Sequence, residues 1–328
     1  TCALPISPQP PVLHSLSNAA AAACAGCYGH TMADTRPIGF FDSGVGGLTV
    51  LREAQLRLPG ESTIYLGDSA RHPYGTRSDE EVVHFASELA EVLIREGVKA
   101  IVIACNTATA VALPTLRTRY PETPFIGVIR PGAAAAALST RNGRIGVLAT
   151  AATVRSGAYF TALKDENPAL QIVQVAASEL VPLIEQGEHG SAALRSAVAQ
   201  VLLPLTSITV AQRVDTLLLG CTHFPFAREV FASCFGDTVA IVDSATAAAG
   251  TLREVLAVNQ LESPGSSRGT AADAGYAGHA APERASIAPT HRLLTTGDTV
   301  QFRQLAVSLF GSERAVETVE QYKVPAQS

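Results

Sequence analysis

From Ile38 onward, short apolar runs alternate with longer stretches in which apolar residues recur at helical spacing. The runs have the length of buried strands, and they predict strands at 38–41, 62–66, 100–104, 125–128, 145–148, 171–175, 216–219 and 239–242. Strands that alternate with helices in this way favour an α/β fold built around parallel sheets.

Helical spacing is clearest at 78–96, where apolar side chains recur every three or four positions. Residues 262–290 are dominated by Ser, Gly, Ala and Pro, and this composition predicts a flexible insertion. A last amphipathic helix is predicted at about 300–310, where it closes the fold.

The chain contains a faint internal duplication. Residues 38–43 (IGFFDS) resemble residues 145–150 (IGVLAT), and residues 101–107 (IVIACNT) resemble residues 217–223 (LLLGCTH). Each half therefore has one strand that ends in a hydroxyl residue and a later strand that ends in cysteine. Two similar α/β lobes that face one another would place both cysteines at one cleft.

The duplicated strands also predict the domain organisation. The first domain takes residues 36–128 and is completed by residues 243–328, and the second takes residues 129–242. Met32 is the only methionine, and it lies six residues before the first predicted strand. We expect translation to start naturally at Met32 and residues 1–35 to form a disordered tail.

The composition limits the classes of function. The protein has 328 residues, 47% of them hydrophobic and 16% charged, which is enough to bury the core of one large or two moderate domains. The net charge is −5 and the 24 basic residues are scattered, so nothing indicates a nucleic-acid partner. No apolar run reaches the roughly 18 residues that a membrane span needs, so no membrane partner is indicated.

Six cysteines occur in the chain, and three of them, Cys105, Cys221 and Cys234, lie in the predicted folded body. Their wide spacing is not that of a disulfide framework, which predicts a reduced, cytoplasmic compartment. The CxxC at 24–27 lacks a second ligand pair, so the sequence predicts no metal site. Cys234 lies in an apolar segment and is expected to be a core residue.

Cys105 and Cys221 each follow a predicted strand, and in parallel sheets ligands bind outside the carboxyl ends of the strands. If the chain stays extended there, side chains two positions apart point the same way. Thr107 would then accompany Cys105, and His223 would accompany Cys221. A nearby imidazole can hold a proton for a thiolate, which makes the two cysteines candidate acid/base groups.

Asp42 and Ser43 open a glycine-rich turn, GVGG at 44–47, after the first strand. The turn is not a dinucleotide fingerprint, because Thr49 stands in place of the third glycine. Its backbone amides are expected to bind a small carboxylate at a helix N-terminus. The turn at 71–75 follows the second strand and is expected to cover the same cleft.

Six segments resemble bacterial glutamate racemases, which belong to the aspartate/glutamate racemase superfamily. They are GFFDSGVGGL at 39–48, YLGDS at 65–69, PYG at 73–75, ACNTA at 104–108, SGAY at 156–159 and LGCTHFP at 219–225. The similarity extends from about residue 38 to residue 245 and resumes near residue 295, so it covers most of the chain. The two cysteine motifs together are highly specific for this family.

The resemblance implies two flavodoxin-like α/β domains related by pseudo-twofold symmetry, with the active site in the cleft between them. It also implies a racemase that interconverts L-glutamate and D-glutamate without pyridoxal phosphate or any other cofactor. Such an enzyme supplies D-glutamate for peptidoglycan synthesis. Glutamate is then the expected partner, and a homodimer stays an open alternative to a monomer.

The resemblance further implies roles for individual residues. The implied catalytic residues are Cys105, Cys221, Asp42, His223 and Glu185, with Asp42 and His223 assisting their respective cysteines and Glu185 as an auxiliary acid. The implied substrate-binding residues are Asp42, Ser43, Tyr74, Gly75, Asn106, Thr107, Thr222 and His223. Arg130 departs from the family, which usually has an acidic or neutral residue there, and the insertion at 262–290 is longer than usual.

Three alternatives stay open. They are an aspartate or hydantoin racemase of the same superfamily, a hydrolase that uses one cysteine with His223, and a non-catalytic regulatory protein on this scaffold. The pair Thr222-His223 and the long turn after Asp42 favour glutamate. A hydrolase would leave Cys105 unexplained, and the intact cysteine pair argues against a loss of catalysis.

We expect residues 1–31 to be dispensable. A chain that begins at Met32 should fold and keep racemase activity, because every predicted strand and every residue implied in the site come later. Soluble yield and the change of optical rotation with L-glutamate, measured beside the full chain, test this. An insoluble or inactive truncated protein would contradict it.

Overall fold

The computed structural model describes residues 34–185, 190–207, 209, 212–263, 288–310 and 319–323. The predicted tail at 1–35 and the predicted insertion at 262–290 lie almost wholly outside these residues, so both stay predictions. Within the described part of the chain, strands and helices alternate as the hydrophobic pattern predicts.

All eight predicted strands are present, and two more follow them. In chain order they are β1 (Ile38–Asp42), β2 (Thr63–Gly67), β3 (Ala100–Ile103), β4 (Phe125–Gly127), β5 (Arg144–Ala149), β6 (Gln171–Ala176), β7 (Thr216–Gly220), β8 (Ala240–Asp243), β9 (His291–Thr295) and β10 (Val319–Gln321). The sequence did not predict β9 and β10. β9 begins with two polar residues, and β10 is short and largely exposed, so neither forms an apolar run.

The helices between the strands are α1 (Leu48–Arg57), α2 (Asp79–Arg95), α3 (Asn106–Arg119), α4 (Ile129–Ser139), α5 (Ala151–Ser156), α6 (Ala158–Glu166), α7 (Leu180–Glu185), α8 (Ala192–Val201), α9 (Leu203–Thr206), α10 (Arg228–Phe235), α11 (Ser244–Val258) and α12 (Thr299–Phe310). Short 3-10 helices span Tyr74–Thr76, Phe224–Ala227 and Gly236–Thr238. Both predicted helices, at 78–96 and about 300–310, are confirmed. None of the described helices is long and apolar enough to cross a membrane.

Helix α2 shows why the pattern forms a helix where it does. The Ser78 hydroxyl accepts a hydrogen bond from the backbone N–H of Glu81, and the Glu81 carboxylate accepts one from the N–H of Ser78. This capping box satisfies two donors that the first turn leaves without partners. Three acidic residues in the first turn and Arg95 in the last turn complement the helix dipole.

The described strands form two parallel sheets, which confirms the predicted α/β class. The larger sheet has the order β10-β9-β2-β1-β3-β4, and the smaller has the order β6-β5-β7-β8. Both contain the flavodoxin-like arrangement in which the first strand lies between the second and the third. β1 is therefore equivalent to β5, and β3 to β7, which matches the duplication in the sequence. The domain boundaries stay predictions.

Strands β1, β3 and β7 are buried along their whole length. The strand order reverses direction between β1 and β3, and again between β5 and β7, and ligands bind at such switch points. Asp42 ends β1 and Cys105 follows β3, while Thr150 follows β5 and Cys221 follows β7. Each sheet therefore presents one cysteine at its switch point.

A buried ion pair lies at the amino-terminal ends of β2 and β3, away from the cysteines. Lys99 Nζ lies 2.5 Å from Glu61 Oε2, and both side chains are at most 1% exposed. The ammonium also donates to the backbone carbonyl of Asp34 and to the Ser263 hydroxyl. Glu61 in turn accepts hydrogen bonds from the backbone N–H and the hydroxyl of Ser263. Because each charge is paired inside the protein, removing one partner leaves the other uncompensated.

Lys99→Met should lower the free energy of unfolding by about 3–5 kcal/mol, because Glu61 would remain buried without its counter-charge. The double variant with Glu61→Leu should recover part of this loss, since no buried charge remains. Urea unfolding midpoints measure both effects. Arg119→Met is the control, because its ion pair with Glu91 is exposed and should contribute about 1 kcal/mol or less. Equal losses in Lys99→Met and Arg119→Met would contradict the prediction.

Candidate active site

The carboxyl ends of the two sheets meet at a cleft of about 410 Å³, part of it open to solvent. Nine of the residues implied by the sequence line it, namely Ser43, Tyr74, Gly75, Cys105, Asn106, Thr107, Cys221, Thr222 and His223. The other two, Asp42 and Glu185, lie directly behind this lining and contact it through Thr222 and His223. The structure therefore brings all eleven together, although they come from segments far apart in the chain.

Cys105 is the N-cap residue of α3. Its Sγ accepts a hydrogen bond from the backbone N–H of Ala108 at 3.4 Å and lies 3.8 Å from the Ser43 hydroxyl. The N-terminus of a helix favours negative charge, so this position supports a thiolate once one forms.

Cys221 lies at the equivalent end of β7 but has different neighbours. Its Sγ is 3.8 Å from Nδ1 of His223, and Nε2 of the same ring is 2.8 Å from Glu185 Oε1. Glu185 ends α7, and its Oε1 also lies 3.2 Å from Nε2 of His72. Cys221 therefore faces the imidazole of His223, and the Glu185 carboxylate pairs with the far nitrogen of that ring.

Both thiols are almost fully buried, with 5% of Cys105 and 7% of Cys221 exposed. Burial raises the pKa of Cys105 to about 12, and the charge of the nearby Asp42 carboxylate adds to this rise. Burial also raises the pKa of Cys221, with further contributions from Cys105, Asp42 and Glu185. In the cleft without substrate, both cysteines are therefore thiols at neutral pH.

The Glu185 carboxylate, which pairs with Nε2 of His223, is held in its charged form. Burial by itself raises the pKa of Glu185, but hydrogen bonds from His223 and His72 outweigh it and hold that pKa well below its usual range. Burial lowers the pKa of His72, yet its hydrogen bond to Glu185 prevails and the net shift is upward. Glu185 is consequently ionised at neutral pH and orients the ring of His223 towards Cys221.

Asp42 is fully buried and fixes the glycine-rich turn that follows it. Its Oδ2 accepts hydrogen bonds from the backbone N–H groups of Gly44 and Gly47, both at 3.1 Å, and its Oδ1 faces the Thr222 hydroxyl at 3.5 Å. The prediction that the amides of the turn bind a ligand carboxylate is therefore wrong for these two amides. They bind the carboxylate of Asp42 itself, which shapes the turn for close approach to Thr222.

Glycine permits that approach. A Cβ on Gly46 would lie 2.5 Å from Thr222 Oγ1 and 2.7 Å from His223 Cε1, and a Cβ on Gly75 would lie 2.9 Å from Cβ of Thr150. Such distances are too short for any side chain. The two glycines thus let segments of the larger sheet contact the strand ends of the smaller one.

The backbone after each cysteine is helical, so the prediction of an extended chain there is wrong. Asn106 begins α3, and His223 has φ −80° and ψ −29°. His223 still reaches Cys221, but the Thr107 hydroxyl lies 2.9 Å from that of Thr150 and 3.3 Å from that of Thr153. Thr107 therefore joins a hydroxyl cluster that links the two sheets, and no hydrogen bond to Cys105 is among those described for it.

Asn106 offers a free donor to the cleft. Its Oδ1 accepts a hydrogen bond from the Tyr159 hydroxyl at 2.6 Å, whereas its Nδ2 is buried without a partner among the described residues. Tyr74 is less available, because its hydroxyl donates to Asp68. An unpaired buried donor is costly, so Nδ2 is suited to a ligand acceptor.

Among the residues of the site without a role predicted from the sequence, three make contacts that bear on its chemistry. Thr150 lines the cleft, Tyr159 holds Asn106, and His72 contacts Glu185. The duplication gave a signal for Thr150, since it stands where the first half has Ser43. His72 lies in the turn at 71–75, which was expected to cover the cleft, and Tyr159 lies in the SGAY segment, but their contacts cross between segments, so neither residue was assigned a role.

A buried thiol from each of two equivalent strand ends opens onto one cleft, an arrangement suited to acid/base chemistry from two sides. The sequence also matches the model of a known family, Asp/Glu/Hydantoin racemase, over residues 49–252. The chain belongs to the Asp/Glu/hydantoin racemase family.

The similar proteins and solved structures include several glutamate racemases. The glutamate racemase of Listeria innocua is 42% identical over 269 residues, which cover 82% of this chain and 92% of that protein. The crystal structure of glutamate racemase isoform RacE1 from Bacillus anthracis matches with a TM-score of 0.76 at 35% identity, over 89% of this chain and 98% of that one. Glutamate racemase from Francisella tularensis in complex with D-glutamate matches with a TM-score of 0.76 at 30% identity, over 90% and 100%.

Gly46→Ala should lower racemase activity by about 100-fold or more, because the new methyl group displaces Thr222 and His223 and misplacement by about 1 Å has such an effect. Racemisation rates and thermal unfolding should be measured together. Gly250→Ala is the matched control, since it lies in α11 with open space around it and should stabilise the helix by up to about 1 kcal/mol. Full activity in Gly46→Ala would show that the close approach is not needed.

Proposed function

We propose that the protein is a glutamate racemase in which Cys105 and Cys221 act on opposite faces of the α-carbon. The observation that carries the proposal is the placement of one buried thiol from each sheet at equivalent strand ends of a single cleft. Inversion of an α-carbon needs a base on one face and an acid on the other, and two separate thiols supply both.

In each direction, one cysteine is a thiolate that removes the α-proton, and the other is a thiol that delivers a proton to the opposite face. The roles exchange when the other enantiomer binds. Because the α-proton is far less acidic than a thiol, the carbanion-like state depends on donors that are already in place around it in the cleft. Asn106 Nδ2 and the hydroxyls of Ser43, Thr107 and Thr222 are such donors.

The thiolate needs a group that takes up its proton, since burial keeps both thiols protonated. For Cys221 this group is His223, whose Nδ1 faces Sγ and whose Nε2 is fixed by Glu185. For Cys105 we assign the role to Asp42, the buried carboxylate that raises the pKa of Cys105. We assign L-glutamate to deprotonation by Cys221 and D-glutamate to deprotonation by Cys105.

The described lining of the cleft contains no Lys or Arg, so we assign the substrate carboxylates to donors without a permanent charge. We assign this binding to Ser43, Tyr74, Gly75, Asn106, Thr107, Thr222 and His223, together with Asp42 for the ammonium group. The relatives above are glutamate racemases, one of them in complex with D-glutamate, which favours glutamate over aspartate.

The biological role follows from the product. We propose that the enzyme supplies D-glutamate for peptidoglycan synthesis and that it works in the cytoplasm, where its cysteines stay reduced. Cys105, Cys221 and Cys234 are all free thiols, which suits that compartment. A homodimer stays an open alternative to a monomer.

Cys105→Ser and Cys221→Ser should each lower the racemisation rate by at least about 10³-fold, because an alcohol is a much poorer base than a thiol at neutral pH. Optical rotation of L- and D-glutamate, followed without any added cofactor, measures the loss. Cys234→Ser is the control, since Cys234 is half-buried in α10 and outside the cleft lining. Full racemisation by Cys105→Ser would end the two-cysteine mechanism.

The same variants separate the two faces. With a glutamate analogue that carries a leaving group on Cβ, removal of the α-proton expels the leaving group, and no acid on the opposite face is needed. Cys105→Ser should therefore keep elimination on the L analogue and lose it on the D analogue, and Cys221→Ser should do the reverse. Equal loss on both enantiomers in both variants would count against one face for each cysteine.

A further inference from the structure

Three side chains with metal-binding atoms meet at the edge of the cleft beside Cys221. They are His72 from the turn after β2, Glu185 at the end of α7, and His223 after β7. Glu185 Oε1 lies 3.2 Å from His72 Nε2 and 2.8 Å from His223 Nε2, and all three ligand atoms lie within 4.8 Å of one another. Two imidazole nitrogens thus point at one carboxylate oxygen.

The two distances to Glu185 are close to those around a bound ion. Zinc binds imidazole nitrogen and carboxylate oxygen at about 2.0–2.2 Å, so neighbouring ligand atoms in a tetrahedral or octahedral site are about 3.0–3.4 Å apart. Small side-chain rotations would bring the two imidazoles and the carboxylate to that spacing. Two histidines and one glutamate form a known zinc ligand set, in which the remaining position is open to water.

Charge and access also suit a cation. A metal ion binds the neutral form of histidine, and with both imidazoles in that form the three side chains carry a net charge of −1. The buried Asp42 carboxylate adds a negative charge near His72. The side chains of His72 and Glu185 are 16% and 25% exposed, so an ion can reach them from solvent, while His223 is 3% exposed.

We propose that His72, Glu185 and His223 form a binding site for a divalent transition-metal ion such as Zn²⁺, and that the bound ion inhibits racemisation. The mixed nitrogen and oxygen ligands favour zinc, cobalt or nickel over magnesium or calcium, which prefer oxygen ligands. The inhibitory part rests on the proposed function, because it assumes that His223 serves Cys221.

The inhibition follows from the two nitrogens of His223. An ion on Nε2 leaves the proton of the neutral ring on Nδ1, the atom that faces Cys221 Sγ at 3.8 Å. The ring then has no free nitrogen with which to accept the proton of the thiol. The ion also binds the Glu185 carboxylate, which otherwise orients the ring of His223. Metal occupancy therefore blocks the step in which Cys221 becomes a thiolate.

The sequence predicted no metal site because the three ligands have no common motif. Residues 72, 185 and 223 lie on segments that only the packing of the two sheets brings together. Cys105 and Cys221 are close by and also bind zinc well, so an experiment must separate thiolate ligands from imidazole ligands.

The first experiment measures inhibition of the full-length enzyme by Zn²⁺ in chelator-free buffer, with EDTA expected to restore the rate. His72→Gln keeps an N–H donor for Glu185 but removes an imidazole ligand. In this variant the zinc concentration for half-inhibition should rise at least about tenfold, with each rate normalised to that variant's own metal-free rate. His84→Gln is the matched control, because His84 pairs with Glu88 on the exposed face of α2. It should leave inhibition unchanged.

The second experiment titrates the double variant Cys105→Ser/Cys221→Ser with Co²⁺ and records its absorption spectrum. One ion should bind with d–d bands and without a sulfur-to-cobalt charge-transfer band, and His72→Gln added to this variant should abolish the binding. No binding to the double variant would place the ion on the thiols and overturn the site. Unchanged zinc inhibition in His72→Gln would overturn it as well. Failure of the metal-free enzyme to racemise glutamate would instead overturn the proposed function, and the cobalt titration would still report on the site.

Discussion

The removal of two cysteine thiols from water at one cleft is the constraint on which the rest of the site depends. Burial raises the pKa of both groups, so neither is a thiolate at neutral pH without help. The neighbours that provide this help are backbone amides, the Ser43 hydroxyl and the imidazole of His223, whose ring Glu185 fixes. A reaction that alternates the two protonation states is feasible only while these neighbours stay in place.

The two sheets repeat the same strand order, but the groups that surround the two thiols differ. Cys105 lies at the N-terminus of α3, with a backbone amide, the Ser43 hydroxyl and a buried carboxylate around it. Cys221 instead faces His223, whose Nε2 pairs with Glu185, and Glu185 in turn pairs with His72. The two thiols therefore have chemically different neighbours, and among the described residues the cluster of metal-binding side chains lies on the Cys221 side.

Close approach between the two sheets completes the site. The turn after β1 touches the strand end at Thr222 because Gly46 has no Cβ, and Gly75 allows the same contact with Thr150. The hydroxyls of Thr107, Thr150 and Thr153 form a cluster across the same junction. Neither half forms the site by itself, since each half contributes one thiol and some of the residues that surround the thiol of the other half.

The sequence by itself determined the alternation of strands and helices, the equivalence of the two cysteine strands and the family, because apolar periodicity and short motifs are local signals. It failed just beyond the strands, where α3 begins at Asn106 and turns the Thr107 hydroxyl towards Thr150. Only the tertiary structure decided that His72, Glu185 and His223 meet at one point. Such contacts depend on how whole elements pack, and that packing leaves no pattern in any one segment.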